Sequence, residues 1–181
     1  PKVLQTRRIM VELLLARCPD APRVRELARE MGRQGHLVDV YTRVHDPRDS
    51  QIVNLGPNAR LIHLKAGEDE TIHKLAVYSY LPDFTRELEA FRENEGVRYD
   101  LVFSHYWLSA WVGKFLQGWW HVPHMVMFHT LGAVKNAIGI GEDETELRVE
   151  TERHLIKSCH RIIAATEKEK ENLVSYYGAS P

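Results

Sequence analysis

The chain has 181 residues and a formal net charge of −1, with 44% hydrophobic and 27% charged residues. These values are typical of a globular protein with one domain, or with two small ones, and they give no electrostatic reason to expect a nucleic-acid or membrane partner. The longest apolar run near the start, IMVELLLA, is interrupted by Glu12 and is too short to span a bilayer. Two cysteines, Cys18 and Cys159, form no CxxC pair, which argues against a disulfide scaffold or structural zinc and predicts a reduced, cytoplasmic protein.

Apolar and amphipathic stretches alternate along the chain. The first, RRIMVELLLA over residues 7–16, is compatible with either a strand or a helix, because it is rich in Leu, Met and Glu. Residues 22–36 predict an amphipathic helix, with Pro22 in its first turn and Gly35 at its end.

The rest of the chain continues this alternation. We predict strands over residues 37–42, 59–65, 100–104, 124–129 and 161–166, and helices over residues 80–96, 107–117, 145–160 and 167–178. Alternating strands and helices, with nearly continuous apolar strands, are typical of a parallel sheet covered on both faces. The sequence therefore predicts an α/β, Rossmann-like domain.

Polar and aromatic residues follow several predicted strands. Open parallel sheets bind their ligands beyond the carboxyl ends of the strands, so these positions predict a binding cleft at one edge of the sheet. The residues are Arg43, His45 and Asp46, then His105 and Tyr106, then His129, Thr130 and Gly132, and finally Glu167.

Helix capping and packing are the alternatives to function at these positions. Thr166, with Glu169 three residues later, is typical of a capping box and needs no further role. Ser104 has the same alternative, and the HYW triplet at 105–107 is equally compatible with amphipathic packing. His129 favours function, because a histidine just after a buried strand is costly to place without a partner.

Other motifs are weak. GIGED at 139–143 follows no predicted strand and lacks a third glycine, so it is no dinucleotide fingerprint. His121 and His124 have H-x-x-H spacing, but Pro123 interrupts any helix there and no acidic residue lies beside them. We predict neither a metal site nor a cofactor.

Four segments together resemble the N-terminal domain of the family 4 retaining glycosyltransferases, which have the two-domain GT-B architecture. The segments are VRELAREMGRQGHLVDVYTR (24–43), YDLVFSHYWLSAWVG (99–113), VMFHTLGAVKN (126–136) and ERHLIKSCHRIIAATEKEKENLVSYYGASP (152–181). HYWLS and FHTLGAVK are fairly specific to the sucrose-phosphate synthase and mycothiol-pathway branch. The likeness covers nearly all of residues 22–181.

This resemblance implies one half of a GT-B fold, in which the domain holds the acceptor and a C-terminal domain holds a nucleotide sugar. The implied reaction moves a hexosyl group from that donor to a sugar- or inositol-phosphate. His129 would lie near the reacting centre and contact the donor sugar, with Lys135 as a further candidate nearby. The residues implied to hold the acceptor phosphate are Lys74, Tyr106, Thr130 and Arg148. Two cations and two hydroxyls suit a phosphate.

Two departures from the family pattern stand out. The family has a glycine-rich loop after its first strand, whereas LLLARCPDAPRVRELA (13–28) contains no glycine, which makes residues 1–21 atypical. The chain ends at YYGASP, where the family's inter-domain linker begins. We expect residues 1–181 to be a single acceptor-binding domain, inactive until a donor-binding domain or partner chain joins it. The alternative is a non-catalytic Rossmann-like module that binds a phosphorylated small molecule or a partner subunit.

Overall fold

The computed structural model describes residues 7–12, 21–67, 74–139, 141 and 143–180, without the side chains of Glu12, Lys74 and Leu75. The strands in this part are β1 (Arg8–Glu12), β2 (Leu37–Arg43), β3 (Ile52–Gly56), β4 (Ala59–Leu64), β5 (Leu101–His105), β6 (His124–Met127) and β7 (Arg161–Ile162). The helices are α1 (Ala21–Arg33), α2 (Lys74–Ser79), α3 (Leu81–Asn94), α4 (Trp107–Trp120), α5 (Gly132–Ile138), α6 (Glu146–Ser158) and α7 (Glu167–Tyr177). Within these ranges, no helix combines the length and apolar character needed to cross a membrane.

The strands form one sheet in the order β3-β4-β2-β1-β5-β6-β7. Every neighbouring pair is parallel except β3 and β4. From β1 the chain passes to β2, then to the edge strand β3 and back to β4, which lies between β3 and β2, before it crosses to β5 on the other side of β1. The carboxyl ends of β1 and β5 therefore flank a topological switch point, where sheets of this kind bind ligands.

Alternate side chains of each central strand enter different layers of the core. Ile9, Val11 and Val40 pack in the layer under α1, whereas Met10 and Tyr41 pack in the layer covered by α3, α4, α6 and α7. This two-residue period assigns the first apolar segment, which the sequence left open between strand and helix, to a strand over residues 8–12. The predicted Rossmann-like sheet with helices on both faces is confirmed.

Several elements differ from the sequence prediction. The hairpin strand β3 was not predicted, because its side chains are largely exposed: Ile52 is 43% and Val53 is 37% exposed. The short helices α2 and α5 were not predicted either. The strand predicted over 161–166 pairs only at Arg161–Ile162, and β6 ends two residues before the predicted end.

The predicted cap of α7 is confirmed, with one change. Thr166 Oγ1 accepts a hydrogen bond from the Glu169 N–H at 3.1 Å. The Glu169 carboxylate accepts from the Ala165 N–H at 2.8 Å, one residue before the position that a capping box uses. Ser104, by contrast, lies within β5 rather than at a helix cap.

A close approach of α4 to the sheet depends on Gly113. The buried Ser104 Oγ and His124 Nε2 are 2.9 Å apart beneath it. A Cβ at Gly113 would lie 2.3 Å from Ser104 Oγ and 2.4 Å from His124 Nε2. Only glycine therefore fits at this crossing without displacing the Ser104–His124 pair.

Gly113→Ala is expected to destabilise the protein by about 3 kcal/mol, because the added methyl overpacks the contact between α4 and the sheet. Gly118→Ala is the matched control in the same helix, since a methyl group added there would meet nothing within 4 Å. The control should stabilise the protein by up to about 1 kcal/mol through helix propensity. Urea unfolding of both variants checks this, and equal effects would contradict the close contact.

Candidate functional site

The candidate site lies at the carboxyl ends of β5 and β6. These strands are parallel neighbours, with His105 paired in register to Met127, so the residues that follow them meet at one edge. Tyr106 directly after β5 has φ 77°, and His129 after β6 has φ 63°. Left-handed backbone at non-glycine residues costs about 1–3 kcal/mol each and clusters at functional sites.

Two histidines contact each other at this edge. His105 Nδ1 lies 2.9 Å from His129 Nε2, and the two rings are stacked with centroids 5.1 Å apart. His105 is only 1% exposed. Burial, and secondly the neighbouring His129, lower the pKa of His105 to about 3, so this ring is neutral at physiological pH.

Arg148, on α6, joins the residues that follow the two strands. Its Nη2 donates to both the carbonyl oxygen and the hydroxyl of Thr130, each at 3.0 Å. Its guanidinium carbon lies 4.9 Å from the centroid of the Tyr106 ring. Burial raises the pKa of Tyr106, an effect that the charge of Arg148 opposes. The structure thus brings together three of the residues predicted to bind phosphate.

Two buried carboxylates, Glu144 and Glu152, pair with the cations of the site. Arg148 Nη1 lies 2.8 Å from Glu144 Oε1, and Arg148 Nε donates to Glu152 Oε1 at 2.8 Å. Lys135 Nζ binds the same Oε1 atom of Glu144. Burial alone would lower the pKa of Arg148, but the adjacent Glu152 and Glu144 raise it overall, so the guanidinium stays charged. The two cations and two carboxylates sum to zero charge.

Glu152 also anchors the segment between β6 and α5. Its Oε2 accepts a hydrogen bond from the Gly132 N–H at 2.9 Å and another from the Tyr177 hydroxyl. The Tyr177 oxygen in turn accepts from the Ala133 N–H at 2.9 Å. Two backbone N–H groups at the start of α5 are therefore satisfied by side chains from α6 and α7.

Sequence reasoning missed Glu144, Glu152 and Tyr177. A usable signal existed for Glu152, which lies four residues after Arg148 in the same predicted helix, a spacing that predicts ion pairs. Glu144 lies four residues before Arg148 but precedes the first residue of α6, so the helical spacing does not apply to it. Tyr177 had no comparable local signal, because it reaches Glu152 across 25 residues.

The other candidates have different local surroundings. Lys74 begins α2, but its side chain lies outside the described part of the chain. Arg43 Nη2 lies 3.3 Å from His45 Nδ1 after β2. Glu167 is exposed in the first turn of α7.

The weak motifs have structural explanations. His124 is buried against Ser104, and Gly139 of GIGED ends α5 with φ 63°. Trp107 of the HYW triplet is fully buried and stacks on Tyr78 with centroids 5.8 Å apart. Within the described ranges, no three His, Cys, Asp or Glu side chains form a group that could hold a metal ion.

Comparison with known proteins places the chain in a family. A family model described as a glycosyl transferase 4-like domain matches residues 21–181. The chain belongs to this glycosyltransferase family. The resemblance of the sequence to a family 4 N-terminal domain is thereby confirmed.

The curated relatives are longer proteins. The chain is 38% identical over 159 residues to D-inositol 3-phosphate glycosyltransferase of Corynebacterium jeikeium (strain K411), a match that covers 87% of this chain and 38% of the relative. It is 37% identical over 160 residues to the protein of the same name from Thermobifida fusca, covering 86% of this chain and 37% of that one. This glycosyltransferase chain thus spans well under half the length of these relatives.

Solved structures show the same architecture. Sucrose-phosphate synthase from Thermosynechococcus elongatus superposes with a TM-score of 0.87 at 25% identity, over 94% of this chain and 45% of that one. The catalytic domain of starch synthase IV from Arabidopsis thaliana has a TM-score of 0.59 at 10% identity, which shows a shared fold alone. The Rossmann-like, GT-B type of fold is confirmed.

Tyr177→Phe is expected to destabilise the protein by about 1–3 kcal/mol, because it leaves the Ala133 N–H without an acceptor and removes one of the donors to the buried Glu152 carboxylate. Tyr176→Phe is the matched control, since the neighbouring ring is 38% exposed. The control should change the free energy of unfolding by no more than about 0.5 kcal/mol. Thermal and urea unfolding check both, and indistinguishable variants would contradict the anchoring role.

Stability is expected to fall in mild acid through the buried histidines. Burial, and secondly His160, lower the pKa of His124 from 6.5 to about 4. The unfolded chain therefore binds more protons between these values, and His124 costs up to about 1.4 kcal/mol for each pH unit as pH falls through that window. His124→Asn should remove about half of the fall in unfolding free energy between pH 6.5 and 4, because His105, with its pKa lowered to about 3, contributes the rest. His121→Asn, at the exposed end of α4, is the control, and equal slopes in the two variants would contradict this assignment.

Proposed function

We propose that the chain is the acceptor-binding part of a retaining hexosyltransferase, which moves a sugar from a nucleotide-sugar donor to a sugar- or inositol-phosphate. One observation carries the proposal. Two cations, Lys135 and Arg148, and two hydroxyl side chains, Tyr106 and Thr130, gather at the carboxyl ends of β5 and β6. The chain is 38% identical over 159 residues to a protein named for inositol 3-phosphate glycosyl transfer, which supports a phosphorylated acceptor.

Binding of the acceptor phosphate requires the Glu144 carboxylate to move away from Lys135 and Arg148. One oxygen of this carboxylate now binds both Lys135 and Arg148. An arriving phosphate dianion competes for the same cations and carries more charge than one carboxylate. Glu152 holds Arg148 from its other side and so keeps the guanidinium in place while Glu144 moves. Lys74, which the resemblance also assigns to the acceptor phosphate, is proposed as a third cation.

His129 is proposed to contact the donor sugar. It lies directly before Thr130, so a phosphate held at Thr130 places the rest of the acceptor close to its imidazole. The tight turn after β6 and the His105 contact fix the position of this ring. A fixed side chain at the reacting centre costs little reorganisation during the reaction.

A second domain or partner chain is proposed to supply the donor site. Transfer from a nucleotide sugar needs groups that stabilise the departing diphosphate, and the residues gathered at this site are already committed to the acceptor. Residues 1–181 then act as one acceptor-binding domain that binds without turnover. The cytoplasmic setting predicted from cysteine content stays a prediction.

The alternative, a non-catalytic module that binds a partner subunit, has one observation in its favour. Phe115 and Trp119 on α4 are 41% and 57% exposed, beside a groove between α3 and α4. Exposed aromatic side chains grouped in this way are typical of interaction surfaces. This candidate predicts no dependence of binding on a phosphate group, and titration with phosphorylated and unphosphorylated sugars distinguishes it from the acceptor site.

Calorimetric titration of the purified chain with D-inositol 3-phosphate and fructose 6-phosphate, beside myo-inositol and fructose, tests the proposal. Saturable binding should require the phosphate group. Lys135→Met should weaken it about tenfold or more, because a charge-assisted contact contributes about 1.5–3 kcal/mol. Lys157→Met, an exposed lysine at the end of α6, is the matched control and should leave binding unchanged. Absence of phosphate-dependent binding, or equal loss in both variants, would overturn the acceptor site.

Glu144→Gln gives a result of opposite sign in the same titration. Glutamine keeps the shape of the side chain but removes the charge that competes for the two cations, so the phosphate should bind more tightly. Weaker binding would mean that Glu144 helps to form the phosphate site and does not compete with the phosphate for it.

Arg148→Lys is the variant to use for testing Arg148 in this titration. Arg148→Ala would leave the two buried carboxylates without this cation and could unfold the protein.

A further inference from the structure

The contact between His105 and His129 constrains where their protons lie. The two nitrogens are 2.9 Å apart, which is a hydrogen-bond distance. One of the two must donate and the other must accept, so a single proton lies between them. The direction of this bond decides which nitrogen of His129 carries its own proton.

The surroundings of His105 decide the direction. His105 Nε2 is buried and, among the described residues, has no hydrogen-bond partner. Its ring lies against Phe103, with centroids 4.5 Å apart. If His105 carried its proton on Nε2, an N–H donor would be buried without an acceptor, which is rarer in proteins than an unpaired acceptor. The proton therefore belongs on Nδ1, where it meets His129.

We infer that His105 is a positioning residue: its Nδ1–H donates to His129 Nε2 and holds the His129 imidazole with its own proton on Nδ1. His129 is then a neutral ring whose only lone pair is occupied. It can offer a hydrogen bond through Nδ1–H but cannot take a proton without breaking the contact with His105. The consequence for the substrate rests on the proposed function: His129 acts on a sugar hydroxyl or ring oxygen as a hydrogen-bond donor and not as a general base.

The backbone supports the same arrangement. His129 has φ 63° and Tyr106, next to His105, has φ 77°. Both turns direct the chain out of adjacent strands, and the hydrogen bond between the rings ties the turn at His129 to the end of β5. His105 itself stays within β5, so the donor is on the rigid partner of the pair and the ring being positioned is on the turn.

Long-range proton–nitrogen NMR of the chain labelled with 15N-histidine tests this directly. His129 should show a protonated Nδ1 and an unprotonated Nε2 with the shift of an acceptor, and His105 should show a protonated Nδ1. A coupling across the hydrogen bond between His105 Nδ1 and His129 Nε2 would establish the pair. A protonated Nε2 on His129, or a rapidly exchanging mixture of both tautomers, would overturn it.

Two replacements of His105 separate positioning from simple packing. His105→Phe keeps an aromatic ring but removes the donor, so His129 should change to a mixture of tautomers. His105→Asn places a side-chain N–H near the former Nδ1 and should restore the protonated Nδ1 of His129. The signals of His124, buried against Ser104, should stay unchanged in both variants and report that the fold is intact. An unaltered His129 spectrum in His105→Phe would contradict the role of His105.

These spectra are recorded without any sugar or phosphate. The tautomer of His129 can therefore be settled even if the titration with phosphorylated acceptors fails, and the titration can succeed even if the tautomer is the opposite one. If the His105→Phe protein does not fold, the wild-type coupling and the His105→Asn spectrum still decide the inference.

Discussion

The pairing of one buried cation with two buried carboxylates organises the whole site. Arg148 is 1% exposed and lies between Glu144 and Glu152, while its third nitrogen, Nη2, donates to Thr130. Removal of one partner from such a cluster costs about 3–5 kcal/mol, because an uncompensated charge stays buried. Through Glu152 and Tyr177 the same cluster fixes the start of α5. The turn that carries His129 and Thr130 is thus ordered by charge neutrality as much as by apolar packing.

The sheet, and not the charged cluster, brings together His105 and His129, which are 24 residues apart in sequence. Because β5 and β6 are parallel neighbours, their carboxyl ends meet and their turns face one another. The return of the chain to β5, next to β1, puts this meeting point beside the topological switch of the sheet. The histidine contact, which the sheet positions, and the charged cluster around Arg148 therefore lie at the same edge of the sheet.

The sequence predicted the buried elements well, because the spacing of apolar residues in buried strands and amphipathic helices is visible in the sequence itself. It did not predict β3, whose side chains are exposed and whose pairing depends on the turn before β4. It did not predict α5 either, because side chains 20 and 44 residues away satisfy the first N–H groups of that helix. Resemblance indicated Tyr106, Thr130 and Arg148 together, but the burial of Arg148 between carboxylates required the structure.

The shared oxygen of Glu144 has a consequence for selectivity. Lys135 and Arg148 already have one carboxylate between them, so a singly charged anion such as chloride or acetate offers them nothing that Glu144 does not. A phosphomonoester, with about two charges and three acceptor oxygens near neutral pH, does offer more. In the proposed acceptor site, an internal carboxylate in this place sets a threshold of charge: it would discriminate against the abundant monoanions of a cell by charge alone.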